Sequence, residues 1–195
     1  MTTVEKVSEW IERFGEKITD NKEYLNKLDT AIGDGDHGSN LKRGAEAVKE
    51  KASEMDYDNL SDLFKDVGMS LVSKVGGASG PLYGSAFIDM AKEAKETEDI
   101  VDLLTAGLGG IQKRGKADTG EKTMVDQWAP VIDQLKDNSL TKESISDILQ
   151  ETKDMKATKG RASYLGDRSI GHIDPGAQSS AYLFEAMLEA GVLDE

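Results

Sequence analysis

Three aspartates fall within eight residues, in the run Asp29-Thr-Ala-Ile-Gly-Asp34-Gly-Asp36-His37-Gly38-Ser39-Asn40. The glycines between them let the backbone fold tightly around one point. Carboxylates brought that close repel and raise each other's pKa unless a cation sits among them. An all-oxygen donor set suits a hard ion such as Mg²⁺. Asp-Gly is also ordinary turn chemistry, so a solvated turn accounts for the same spacing.

Several familiar motifs fail on this loop. Gly33, Gly35 and Gly38 spell the dinucleotide fingerprint, but the preceding Glu23 to Asp29 is charged and helix-like where a buried strand is needed. An EF-hand starting at Asp34 wants glycine at its sixth position and glutamate at its twelfth, and those positions hold Ser39 and Ala45. No P-loop pattern occurs. Zinc is disfavoured because the chain has no cysteine and only two histidines, His37 and His172, far apart in sequence.

Other segments could contribute to the same chemistry. Lys74-Val-Gly76-Gly77-Ala78-Ser79-Gly80-Pro81 reads as the lead-in to a helix, whose N–H groups and Ser79 hydroxyl could hold a phosphate. A plain helix–helix turn fits it equally well. Arg161 and Arg168 lie in a glycine-rich stretch that ends in Asp174-Pro175-Gly176, where Asp174 reads as an N-cap with proline next. Retaining arginines there, in an acidic chain, points to a negative partner. Aspartates for a metal, a helix start for phosphate and loop arginines together describe a magnesium–nucleotide site without a P-loop.

The elements that must position these residues read as helices. Val4, Val7, Ile11, Phe14 and Ile18 recur at three- and four-residue spacing, with Thr2 and Glu5 fitting a capping box. Similar stripes run through Leu60 to Leu71, Val101 to Ile111, Val125 to Leu135 and Ile145 to Leu149. No segment alternates as a strand would. Pro81 and Pro175 suit first helical positions. The reading is an all-α single domain over residues 1–195, with about eight amphipathic helices. Of the 20 glycines, 15 fall in four stretches, beginning at Gly33, Gly76, Gly107 and Gly160. Glycine costs a helix roughly 1 kcal/mol against alanine, so these stretches are expected to be loops gathered at one end of a bundle.

Composition narrows the function class. With 24 Lys+Arg against 37 Asp+Glu, the net charge is −13. Such a surface repels phosphate backbones and anionic lipid, which disfavours nucleic-acid and membrane-surface roles. The start lacks the apolar core of a signal peptide, so a cytoplasmic location is expected.

At these residues the chain closely resembles the nucleotide-binding L subunits of bacterial dihydroxyacetone kinases. The likeness covers essentially the whole length. It rests on Leu28-Asp29 through Asn40, on Gly76-Gly77-Ala78-Ser79-Gly80-Pro81-Leu-Tyr-Gly, on Gly120-Glu-Lys-Thr-Met124-Val-Asp126, and on Lys159-Gly-Arg161 through Asp174-Pro175-Gly176. Glu121 and Val125 are conservative departures, where Asp and Leu would be expected.

The resemblance implies a barrel of eight antiparallel helices with the nucleotide capping one end. It implies that Asp29, Asp34 and Asp36 ligate two Mg²⁺ ions. His37, Gly38, Ser39 and Asn40, with Ala78 and Ser79, would hold phosphates. Gly115, Met124, Arg161 and the Asp174-Pro175-Gly176 turn would line the remaining pocket, with Gly107 to Gly120 as a mobile lid.

Within this family, fused chains use free ATP, whereas split ones draw phosphate from the phosphoenolpyruvate-dependent phosphotransferase system. A length of 195 residues matches the split form. The resemblance then implies retained ADP, recharged to ATP by a phosphohistidine of an M subunit. The γ-phosphate passes to dihydroxyacetone on a K subunit. A homodimer stays open as an assembly. Two other readings are weighed: a phosphocarrier using His37, and a regulatory nucleotide-binding module. A related domain in longer fatty-acid kinases fits the short length less well.

Overall fold

A computed structural model of the chain describes residues 2–194. The first apolar stripe forms α1 (Val4–Asp20), burying Val7, Trp10, Ile11, Phe14 and Ile18. Its N-cap is Thr3, whose hydroxyl accepts from the Lys6 N–H at 3.3 Å. The expected cap thus shifts one residue, because the helix begins at Val4 and Thr3 is the residue flanking it. A capping box forms instead at Thr141 and Ser144.

After α1 come α2 (Lys22–Ile32), α3 (His37–Ser53), α4 (Leu60–Lys74), α5 (Ser79–Glu93), α6 (Ile100–Gly115), α7 (Val125–Lys136), α8 (Lys142–Glu151) and α9 (Pro175–Glu189). A 3₁₀ segment, Arg161–Ser169, kinks at Gly166 between α8 and α9. The described residues contain no strand. The count exceeds the expected eight because α2 and the 3₁₀ segment are extra elements at one end.

Helix neighbours follow one another around a closed circuit. α1 packs on α3, α3 on α4, and so on in order to α9, which returns to α1. α2 lies against both α3 and α9. Connections as short as the four residues between α4 and α5 reverse the chain and set neighbours antiparallel. The interior is filled by Trp10, Phe64, Tyr83, Phe87, Leu104, Trp128 and Phe184. Trp128 meets Phe184 edge-on at 5.2 Å. Burying each such ring is worth about 1.5–3 kcal/mol, and this packing, rather than local propensity, fixes the helices.

Two expectations are corrected here. The third glycine stretch is mostly helix: Gly107 and Gly110 are buried on α6. A Cβ at Gly110 would meet the Ser85 carbonyl oxygen at 2.6 Å, and one at Gly107 would meet Met90 and Trp128 at 3.1 Å. Close approach of α5 and α6 outweighs the local helix penalty. The expected lid over Gly107 to Gly120 is therefore not a loop before Lys116. Pro81 sits third in α5 rather than first, a position that still lacks a helical N–H acceptor. Pro175 is the first residue of α9 as expected.

Candidate functional site

The α2–α3 connection builds an acidic wall. Asp29, buried on the last turns of α2, and Asp34 and Asp36 beyond it place one carboxylate oxygen each within 4.8 Å of the others. Asp29 Oδ2 accepts the backbone N–H groups of Asp36 at 2.9 Å and His37 at 3.0 Å. Those two bonds turn the chain back onto its own helix and point the start of α3 into the cleft. Burial holds the Asp29 carboxyl above the usual carboxylate range, with Asp34 and Asp36 adding to the rise against the two N–H donors. Three oxygen donors, clustered at that electrostatic cost, fit a divalent hard cation.

Behind the wall lies a buried polar chain. His37 Nε2 is 2.9 Å from Ser179 Oγ on α9. Tyr83 Oη lies 2.7 Å from Ser179 Oγ and 3.0 Å from Ser180 Oγ. The Trp128 indole N–H, which can only donate, bonds Ser180 Oγ at 3.0 Å. Four helices thereby share one network that fixes His37 from beneath. Burial pulls the His37 imidazole down to about 4 despite Asp34 nearby, so it is neutral at neutral pH.

The opposite wall comes from distant parts of the chain. The α6–α7 connection is shaped by Asp126, whose carboxylate accepts the N–H groups of Gly120 at 2.6 Å and Thr123 at 2.9 Å. It delivers Met124, which is buried at the start of α7. Ala157, Ala162 and Leu165 pack on Ile32 at the end of α2. That small cluster brings Arg161 to Asp34, with an ion pair at 3.2 Å. Asp174 caps α9 by accepting the Ala177 N–H at 2.8 Å. Burial pushes its carboxyl up to about 7 against that bond and the charge of Lys122.

These walls enclose a cleft of about 480 Å³ at one end of the helix circuit. All four glycine stretches contribute to it. Thirteen of the fifteen residues expected to hold metal or nucleotide line it, Asp29, Asp34, Asp36, His37, Asn40, Ala78, Ser79, Gly115, Met124, Arg161, Asp174, Pro175 and Gly176, while the second loop arginine, Arg168, does not. Gly38 and Ser39 do not. Gly38 is pressed on the Lys22 carbonyl, and Ser39 uses both its N–H and its hydroxyl on the Asn26 side chain. Sequence reasoning missed Lys122, Asp126 and Ser179. The first two stand inside the motif Gly120 to Asp126, and their place in that motif was the available signal. Ser179 had none.

Fold and site define an all-helical domain with a carboxylate-lined cleft closed over by remote loops. The family model described as the DAK2 domain matches residues 31–189, and the chain belongs to that family, in its DhaL branch. The PTS-dependent dihydroxyacetone kinase ADP-binding subunit DhaL of Lactococcus lactis is 54% identical over 189 residues, covering 97% of this chain and 98% of that protein. The corresponding PEP-dependent kinase subunit of Escherichia coli is 40% identical, covering 93% and 94%. The crystal structure of the Citrobacter freundii dihydroxyacetone kinase in complex with AMP-PNP and Mg²⁺ aligns with a TM-score of 0.78 at 26% identity. It covers 97% of this chain and 35% of that one.

Proposed function

We propose that this chain is the ADP-binding subunit of a phosphoenolpyruvate-dependent dihydroxyacetone kinase, a phosphotransferase built from separate subunits. The observation that carries the reading is the cleft itself: three carboxylates within 4.8 Å on one wall, facing Met124, Arg161 and the α9 start on the other. High identity over nearly the full length of relatives named as such subunits supports it. The chain would work in the cytoplasm, with residues 1–195 forming one domain. It would meet a K subunit carrying dihydroxyacetone and an M subunit carrying a phosphohistidine.

ADP held with two Mg²⁺ ions would supply the phosphoryl acceptor and donor, and the metals would offset charge on the moving group. The chain's own residues bind and orient. Asp29, Asp34 and Asp36 would hold the metals. The Ala78-Ser79 start of α5 offers backbone N–H groups to phosphate, whereas the His37 and Ser39 N–H groups at the start of α3 are already taken by Asp29 and Asn26. Met124 offers a soft apolar contact for a base, and Arg161, already beside Asp34, offers charge-assisted donors. None of these side chains is required as a covalent nucleophile. The phosphocarrier reading of His37 is weakened by its Nε2, which faces Ser179 in the interior.

Mass spectrometry of the denatured, purified protein tests the binding half of this reading, with ADP expected near one per chain. Reconstitution with K and M subunits and phosphoenolpyruvate tests the rest. Acid-labile phosphate on the polypeptide, with no nucleotide present, would overturn it.

A further inference from the structure

Lys122 is the only buried lysine or arginine among the described residues, at 1% exposure, and its backbone is left-handed with φ 60°. Among the described residues no carboxylate pairs with it at salt-bridge distance. Its ammonium instead donates to the backbone carbonyls of Thr152 and His172 and lies 3.5 Å from that of Lys153. Burial draws its pKa down, with the charges of Asp174, Asp154 and Asp126 opposing. A desolvated cation on carbonyl oxygens is costly unless each bond is made.

Those carbonyls belong to two other connections. Thr152 and Lys153 begin the α8-to-3₁₀ run that delivers Arg161, and His172 stands two residues before Asp174. Lys122 itself stands two before Met124. One ammonium therefore fastens together the three segments that form the far wall. Backbone ties join the same segments: the Thr158 N–H donates to the Glu121 carbonyl at 3.2 Å, and the Gly171 N–H to that of Lys153 at 2.7 Å. The acidic wall uses none of these bonds. It is folded by Asp29 and by Asn26 on Ser39, and meets the far wall at the Arg161–Asp34 ion pair and at Ile32.

We propose that Lys122 is a positioning residue for the nucleoside side of the cleft, and that the metal–phosphate wall is organised independently of it. The inference rests on the nucleotide reading above. It separates one cleft into two halves, one local in sequence and one whose three segments meet at a single buried ammonium.

Calorimetry with two probes tests this, using wild type, K122M and K122Q stripped of nucleotide: ADP with Mg²⁺, and inorganic pyrophosphate with Mg²⁺. Both variants are expected to weaken ADP binding about tenfold or more while pyrophosphate binding stays within about twofold. Equal losses for both probes would mean that Lys122 supports the whole fold, and would overturn the proposal. Unchanged ADP affinity would overturn it as well, as would failure of both variants to fold by circular dichroism. A wild type that binds pyrophosphate but not ADP would defeat the nucleotide reading itself, a result distinct from all of these.

Discussion

The two walls of the cleft are built by opposite strategies. The acidic wall is local: Asp29 to Asn40 supplies its carboxylates, the two N–H groups that fold them together, and the start of α3. The far wall draws on Gly115 to Met124, shaped by Asp126, on the approach to Arg161, and on the α9 cap, the three meeting at Lys122. A local wall keeps its geometry as long as one turn survives. A wall assembled from three connections depends on a side chain, Lys122, whose ammonium bonds the carbonyls of the other two. The first can be broken by removing charge, the second by removing a fastening.

The largest expected effect is on the acidic wall. Asp34→Ala or Asp36→Ala should weaken magnesium–nucleotide binding about a hundredfold, since each removes a charged ligand worth several kcal/mol. The fold should survive because both residues are exposed. Nucleotide content after denaturation reads this directly, and full occupancy in both variants would remove the metal assignment.

Asp174 tests the far wall through pH. Its folded pKa of about 7 lies above the ordinary 3.8, so between those values the folded state holds a proton that the unfolded state has released. Its contribution to stability is therefore present below about 4 and is lost as pH rises toward 7. Asp174→Asn cannot titrate. In metal-free protein, denaturant titrations should show the variant gaining on wild type across that window, by up to about 1.4 kcal/mol per pH unit. A constant difference would show that burial does not govern this carboxyl.

Two smaller effects return to the acidic wall. A Cβ at Gly38 would meet the Lys22 carbonyl oxygen at 2.1 Å, and backbone on both sides leaves little room to yield. Gly38→Ala should cost about 1–3 kcal/mol by overpacking, measured by thermal melting. Ser39→Ala removes only the hydroxyl bonded by Asn26 at 2.9 Å. It should cost about 0.5–1.5 kcal/mol, with ADP affinity little changed because Ser39 does not line the cleft. Loss of ADP on that substitution would restore Ser39 to the phosphate site.

Much of this was legible in advance, and the misses share a cause. The stripes through Val7, Ile11, Phe14 and Ile18, and through Trp128, Val131, Ile132 and Leu135, are buried as their periodicity demands. Glycine was the misleading signal. Gly33 to Asp36 does form the loop its composition implies, but Gly38 already lies on α3, and Gly107 and Gly110 are helical. The local penalty is the same at each; what differs is whether another helix needs the missing Cβ. Thr2 was the expected cap of α1, but the helix starts at Val4 and Thr3 caps it. Lys122 reads in sequence as one more solvated charge among 24 basic residues, and only its burial under three connections shows otherwise.

The sequence by itself determined the helical class, the core faces and the acidic loop, because helical periodicity and a turn of eight residues are short-range properties. Tertiary structure alone decided that Arg161 meets Asp34, that His37 rests on Ser179 across 142 positions, and that a lysine could be buried without a carboxylate. Those outcomes depend on which distant segments share one small volume, where solvent is excluded and each polar group must find its partner nearby.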